Sequence, residues 1–197
     1  GGEHRAEITR VAGTSVHVAL KEFMPGATEP ALKLTLVQGV SRGERMDWTL
    51  QKATELGISA IVPVLTARSV VRLDERQSLA KREHWQAIVV SACEQCGRTR
   101  VPEIAPPVRL RDYLATSKKD GLRLALSPVA QGSLAGLASL PQKVELLIGP
   151  EGGLDDSEHV LAEQAGYLPV RLGPRVLRTE TASVVALSVL QALWGDL

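Results

Sequence analysis

The sequence predicts an α/β domain: a mostly parallel sheet with helices on both faces. Three observations predict it. From residue 31 onwards, apolar stretches of strand length alternate with helical periods. One stretch, Ile58 to Leu65, is apolar almost throughout, as a strand buried on both faces should be. Glycines follow the helical periods at Gly57, Gly97 and Gly166, where helices stop.

The elements follow in order. Residues 5 to 20 alternate with the two-residue period of strands, through Ala6, Ile8, Val16, Val18 and Leu20, around a turn at Ala12-Gly13-Thr14-Ser15. Two strands alone are marginally stable, so this hairpin is expected to belong to a larger sheet or barrel. Met24 to Pro30 reads as a linker, which divides the chain into residues 1–30 and 31–197. Leu32 to Val37 is a strand. Arg42 to Leu56 is a helix whose Met46, Leu50 and Ala53 share a face, and Arg76 to Cys96 is a longer one. Leu122 to Leu126, Val144 to Ile148 and Tyr167 to Leu172 are further strands. Asp155 with Glu158 forms a capping box that opens a helix between the last two. A final helix runs from about Glu180 to Trp194, with Thr179 as its cap and Glu180 as a favourable charge in its first turn.

Composition narrows the function classes. With 44% hydrophobic and 23% charged residues the chain is a globular sequence rather than a disordered one. Aromatics make up 3%, too few rings for a single-strand binder that stacks bases. A formal charge of +1 gives a weak overall field, so a nucleic-acid ligand would rely on local basic patches. No apolar run reaches the roughly 20 residues of a membrane-spanning helix, and the opening residues carry no apolar signal region. Cys93 and Cys96 lie three apart near the end of a helix, without a second pair, and the histidines are scattered. That spacing supplies neither the four ligands of a zinc site nor the helix start that lowers a thiol's pKa. A reduced cytoplasmic protein without a metal is the simplest reading.

Two glycine-bearing loops carry the chemistry. Gly149-Pro150-Glu151-Gly152-Gly153 follows one strand, and Leu172-Gly173-Pro174-Arg175 follows another. Ligands of open parallel sheets bind beyond the carboxyl ends of strands, where such loops stand. The first loop lacks both the Lys-Ser/Thr ending of a phosphate loop and the glycine spacing of dinucleotide folds. Glu151 at its centre would repel a phosphate. A flat ligand with a positive centre suits it better, although both loops also read as simple tight turns.

The stretches Leu147 to Leu154 and Leu172 to Ala182 resemble the two signature loops of the RsmE family. Two more stretches are similar to the same family: Ser41-Arg42-Gly43-Glu44-Arg45-Met46 running to Gln51-Lys52-Ala53-Thr54-Glu55-Leu56-Gly57, and Ala92 to Arg98 with Val101-Pro102-Glu103. Its members are SPOUT-class enzymes that methylate N3 of a uridine in 16S ribosomal RNA, using S-adenosylmethionine. The resemblance implies a C-terminal trefoil knot, a homodimer packed partly through the last helix, and an N-terminal PUA-like β-barrel that grips RNA. The hairpin corresponds only to the latter part of that barrel, so the barrel is expected to be incomplete here and RNA binding affected.

The resemblance also implies a cofactor site at Leu126, Ile148, Gly149, Pro150, Glu151, Gly153, Leu172, Gly173, Leu177 and Ala182. Leu126 lies outside a distinctive motif, and Glu151 either holds its loop or contacts the ligand. Methylation at N3 leaves a uracil anion to stabilise, and Arg178 is the candidate cation. Glu180 is either a base for the N3 proton or only a helix-terminus charge, with water taking the proton. No histidine lies within the loops. Arg42, Arg45, Lys52, Arg68, Arg72 and Arg98 are either phosphate contacts on an RNA face or solvated surface charges. Glu94 and Gln95 either line the cleft or anchor Arg98. Two rival functions stay open: another SPOUT enzyme acting on a transfer-RNA base or a ribose 2′-hydroxyl, and a non-catalytic RNA-binding assembly factor.

Overall fold

The structure, a computed structural model, describes residues 1–26, 29–71, 73–118, 120–138 and 140–197, with Glu75 described by its backbone alone. Strands β1 (Gly2–Ala12) and β2 (Ser15–Pro25) form the expected antiparallel hairpin, pairing Ile8 with Val18 and Val11 with Val16. Among the described residues it forms a two-stranded sheet of its own. Its apolar side is open: Ile8 is 65% exposed and Leu20 66%. The hairpin's base rests near Thr99, where the Gly26 N–H donates to the Gly1 carbonyl at 3.2 Å.

The remaining elements are β3 (Lys33–Gly39), α1 (Glu44–Glu55), β4 (Ala60–Leu65), α2 (Glu75–Cys96), β5 (Glu103–Ile104), β6 (Val108–Arg109), α3 (Leu110–Thr116), β7 (Leu122–Leu126), β8 (Gly132–Ser133), a 3-10 turn at Leu134–Gly136, β9 (Lys143–Ile148), α4 (Asp156–Gln164), β10 (Leu168–Arg171) and α5 (Thr179–Trp194). The sheet runs β5-β4-β3-β9-β7-β10-β8, with β6 also on β4. Among the described residues every pairing in it is parallel. β5, β6 and β8 are two residues long and were not foreseen in the sequence.

The alternation of the strands builds two cores. Leu34, Leu36, Leu146 and Leu124 face α1, α2 and α5, meeting Met46, Leu50, Trp85, Leu187 and Leu190. Val37, Leu147 and Ala125 face α3 and α4, meeting Leu110, Leu114 and Ala162. Each such buried aliphatic side chain contributes about 1.5–3 kcal/mol. The sheet is therefore covered on both faces, as the interleaved pattern predicts.

Helix ends refine the sequence reading. α4 opens on the expected capping box, with Asp155 accepting the Glu158 N–H at 2.8 Å and Glu158 accepting the Asp155 N–H at 3.0 Å. α2 has a second box, Asp74 with Gln77, that was not foreseen. α5 departs from expectation. Arg178 occupies the cap position without a side-chain bond, and Thr179 is the first helical residue, so Thr179 does not cap the helix. Its hydroxyl serves the site instead.

Arg98 also departs from expectation. Its side chain is 5% exposed, too buried for an RNA phosphate. Its guanidinium donates to the Thr54 and Ile58 carbonyls at 2.9 and 2.8 Å and to Glu29 at 2.6 Å, tying the linker to the end of α1. Cys93 is buried and Cys96 half-buried, both free thiols, and burial pushes the Cys93 thiol up. Among the described residues no helix is long and apolar enough to cross a membrane.

Candidate active site

Parallel strands end on one edge, and there the loops after β4, β7, β9 and β10 converge. They enclose a cleft of about 590 Å³, within the roughly 300–1,000 Å³ of small-molecule sites. All ten residues expected at a cofactor line it: Leu126, Ile148, Gly149, Pro150, Glu151, Gly153, Leu172, Gly173, Leu177 and Ala182. Arg178 and Glu180 line it as well. Residues from β7, β9, β10 and α5 thus come together, although the sequence spreads them over more than fifty positions.

The floor is held by close backbone approach and buried hydrogen bonds. A Cβ on Gly39, at the end of β3, would lie 2.4 Å from Pro150 N, so only glycine lets the first loop sit there. Gly173, at φ 144, turns the second loop. The Thr179 hydroxyl donates to the Gly149 carbonyl at 2.7 Å, fixing the first loop to the start of α5. Gln38, 1% exposed, donates to Thr179 Oγ1 at 3.1 Å and accepts from the Ser183 hydroxyl at 2.8 Å. Sequence reasoning missed Gln38. The signal was an amide that follows the apolar Leu36-Val37 at the end of the strand.

The wall is electrostatic. Glu151 accepts the Arg42 N–H at 2.9 Å and an Arg45 N–H at 3.0 Å. Burial pushes its carboxyl up, but these donors outweigh it and hold the group below the ordinary carboxylate range. Arg45 also lies 3.9 Å from Glu180 Oε1, so one guanidinium bridges two carboxylates in the cleft. Glu180 Oε2 is buried and has no hydrogen-bond partner among the described residues. An open acceptor of this kind suits a ligand that brings a positive charge or an N–H. S-adenosylmethionine, with its sulfonium and ammonium, fits this donor and acceptor set.

The expected RNA contacts separate. Arg68 lines the cleft and donates to the Gly152 carbonyl at 3.0 Å, and Arg45 is held by carboxylates. Arg42 has an exposed side chain beside the loop, whereas Lys52 pairs with Glu55 at 2.8 Å on α1. Arg98 is enclosed at the linker, and Arg72 lies outside the described residues. Glu94 and Gln95 are exposed and do not line the cleft. Two arginines not singled out before, Arg171 and Arg175, do line it. So does His159, brought in from the first turns of α4; histidine was absent from the loops themselves but not from the cleft.

A family model described as an RNA methyltransferase domain matches residues 28–191. The ribosomal RNA small subunit methyltransferase E of Bacillus subtilis is 36% identical over 216 aligned positions, covering 100% of this chain and 81% of the relative. That of Buchnera aphidicola is 33% identical over 98% of this chain and 78% of its own length. This chain belongs to the ribosomal RNA small subunit methyltransferase E family. The Neisseria gonorrhoeae member, a crystal structure bound to S-adenosylmethionine, superposes with a TM-score of 0.93 at 37% identity, covering 100% of this chain and 81% of that one. A Legionella pneumophila structure in complex with the bound cofactor reaches 0.95 at 43% identity, with the same coverage. Family membership therefore extends over the loops, the floor and the hairpin alike.

Proposed function

We propose that the protein transfers the methyl group of S-adenosylmethionine to N3 of a uridine in 16S ribosomal RNA. The observation that carries this reading is the convergence of both glycine loops on a cleft that holds the buried, unpartnered Oε2 of Glu180, in a fold matched along its whole length by two cofactor-bound structures. The cofactor, when bound, supplies an electrophilic methyl group. The protein's work is alignment and charge. Positioning of reactants can supply roughly 7–11 kcal/mol of barrier reduction. Main-chain groups of the two loops hold a shape, Glu180 and Glu151 face positive charge, and Arg178 meets the negative charge that develops on a uracil carbonyl oxygen. Water or Glu180 accepts the N3 proton.

The arginines at the mouth, Arg171, Arg175 and Arg178, with Arg42 and Arg68 beside them, form a local basic rim that suits an RNA phosphate backbone. We further read residues 1–30 as the latter part of a PUA-like RNA-gripping barrel and 31–197 as the SPOUT domain. The C-terminal segment is read as a trefoil knot. Support for it is the return of the chain from β10, separated from β9 by β7, to a helix whose first turn lies between Gln38 and Gly149. A homodimer and a cytoplasmic location complete the reading.

Nucleoside mapping of small subunits from a strain lacking the protein tests the proposal. Loss of one N3-methyluridine is expected, and an intact N3-methyluridine complement would overturn it.

A further inference from the structure

The hydrogen bonds around Gln38 join parts of the site that the sequence keeps far apart. Gln38 stands on β3, Gly149 begins the first loop, and Thr179 and Ser183 lie on successive turns of α5. Gln38 Nε2 donates to Thr179 Oγ1 at 3.1 Å and to the Gly39 carbonyl at 3.1 Å, with the Gly149 carbonyl at 3.5 Å. Its Oε1 accepts from Ser183 Oγ at 2.8 Å. The amide thus uses both its donor and its acceptor sides, and it is 1% exposed, so no water replaces these bonds. Gln38 does not line the cleft.

Thr179 sits between Arg178 and Glu180, two of the charged residues that line the cleft. Whatever fixes Thr179 fixes them. Misplacing a catalytic group by about 1 Å costs on the order of 100-fold in rate. We infer that Gln38 is a positioning residue, which sets the first turn of α5 against the cofactor loop and so aims Arg178 and Glu180. The inference rests on the proposed methyl transfer at this cleft.

A carboxyl in place of the amide separates this role from mere packing. Gln38→Glu keeps the shape. Its ionised form has no donor and places negative charge against the Gly39 and Gly149 carbonyls, while its neutral form keeps one donor. Burial raises the pKa of such a carboxyl, so the neutral form is populated at the acid end of the working range. Turnover at saturating S-adenosylmethionine is measured on undermethylated small subunits between about pH 6 and pH 9, as the ratio of variant to native protein. The Gln38→Glu ratio is expected to fall by about tenfold as pH rises, and the Gln38→Leu ratio to stay low and flat. Cofactor affinity, read by calorimetry, is expected to change by no more than about threefold in either variant.

Amide exchange in the first turns of α5 from Ala182 onward, where the Ala182 N–H bonds the Arg178 carbonyl, is read in parallel and does not depend on turnover. Faster exchange in both variants is expected, even if the RNA acceptor proves to be a different one. Should Gln38→Leu fail to fold, Ser183→Ala removes the hydroxyl that Gln38 Oε1 shares with the Thr179 carbonyl and leaves the Gln38 amide donors in place. Its turnover loss is expected to combine less than additively with that of Gln38→Glu. A flat Gln38→Glu ratio with native exchange overturns the assignment, as does a loss confined to cofactor affinity. A native protein that binds cofactor but leaves N3 unmethylated counts instead against the uridine reading.

Discussion

At the scale of single residues, Arg178 and Glu180 owe their place to a neighbour that does no chemistry. Thr179 turns its hydroxyl away from the helix cap and onto the Gly149 carbonyl at 2.7 Å, which leaves the flanking side chains facing the cleft. Arg178→Ala is therefore expected to lower turnover by about 100-fold, the cost of losing one donor to developing negative charge. Cofactor affinity, by calorimetry, is expected to stay within a few-fold. Equal losses in both would assign Arg178 to shaping the pocket. Nine of the ten residues expected at a cofactor lie in the two stretches that carry the family resemblance, and their place in the cleft was legible for that reason; Leu126 lies outside both stretches. The bridge from Arg45 to Glu151 and Glu180 was not legible. Arg45 and Glu151 are 106 positions apart, and in sequence Arg45 read as one more surface cation. Being half exposed, such a pair contributes only about 0.2–1 kcal/mol, so its importance is local charge and not stability.

At the scale of elements, the linker and the start of the domain are fixed by the enclosed Arg98–Glu29 pair. Arg98→Ala would take the guanidinium from Glu29, which keeps only the Arg100 N–H at 3.3 Å, and from the Thr54 and Ile58 carbonyls. A loss of about 3 kcal/mol is expected, at the lower end for a broken buried pair because Glu29 keeps some contact with water. Denaturant unfolding measures it. Burial pushes the Glu29 carboxyl up, but Arg98's hydrogen bonds and charge outweigh this and hold it below its ordinary 4.5. The pair's stabilisation is therefore complete above that value and is lost as pH falls through the lowered native pKa. In Arg98→Ala this part of the acid destabilisation should be missing. Long strands and helices were legible from periodicity, as was the Asp155 capping box. The two-residue strands β5, β6 and β8 were not, because their pairing is set by the strands beside them and not by their own pattern. Arg98 misled for a related reason: a cation beside a family motif reads the same whether it meets a phosphate or a carboxylate.

At the scale of the whole molecule, the parallel sheet places the cofactor loops on one edge, while the hairpin stands apart as its own two-stranded sheet. Cofactor and RNA functions should therefore come apart. Removal of residues 1–26 is expected to leave cofactor affinity within about twofold and to raise the KM for RNA by about tenfold, read by calorimetry and by methyl-transfer kinetics. Alternating strands and helices gave the layered architecture away, since each element's apolar face announces its burial. The proposed threading of the C-terminal segment would have no such signature, for periodicity reports which face is buried and not which loop a chain passes through. The fold around Glu180, the loops and the basic rim support methyl transfer to RNA, and the proposal adds uridine N3 as the acceptor. Incubation of the purified protein with methyl-labelled S-adenosylmethionine and undermethylated small subunits, followed by nucleoside digestion, tests it most directly. All label in a single N3-methyluridine of 16S RNA is the predicted result; label on a ribose, on another base, or nowhere despite bound cofactor would contradict it.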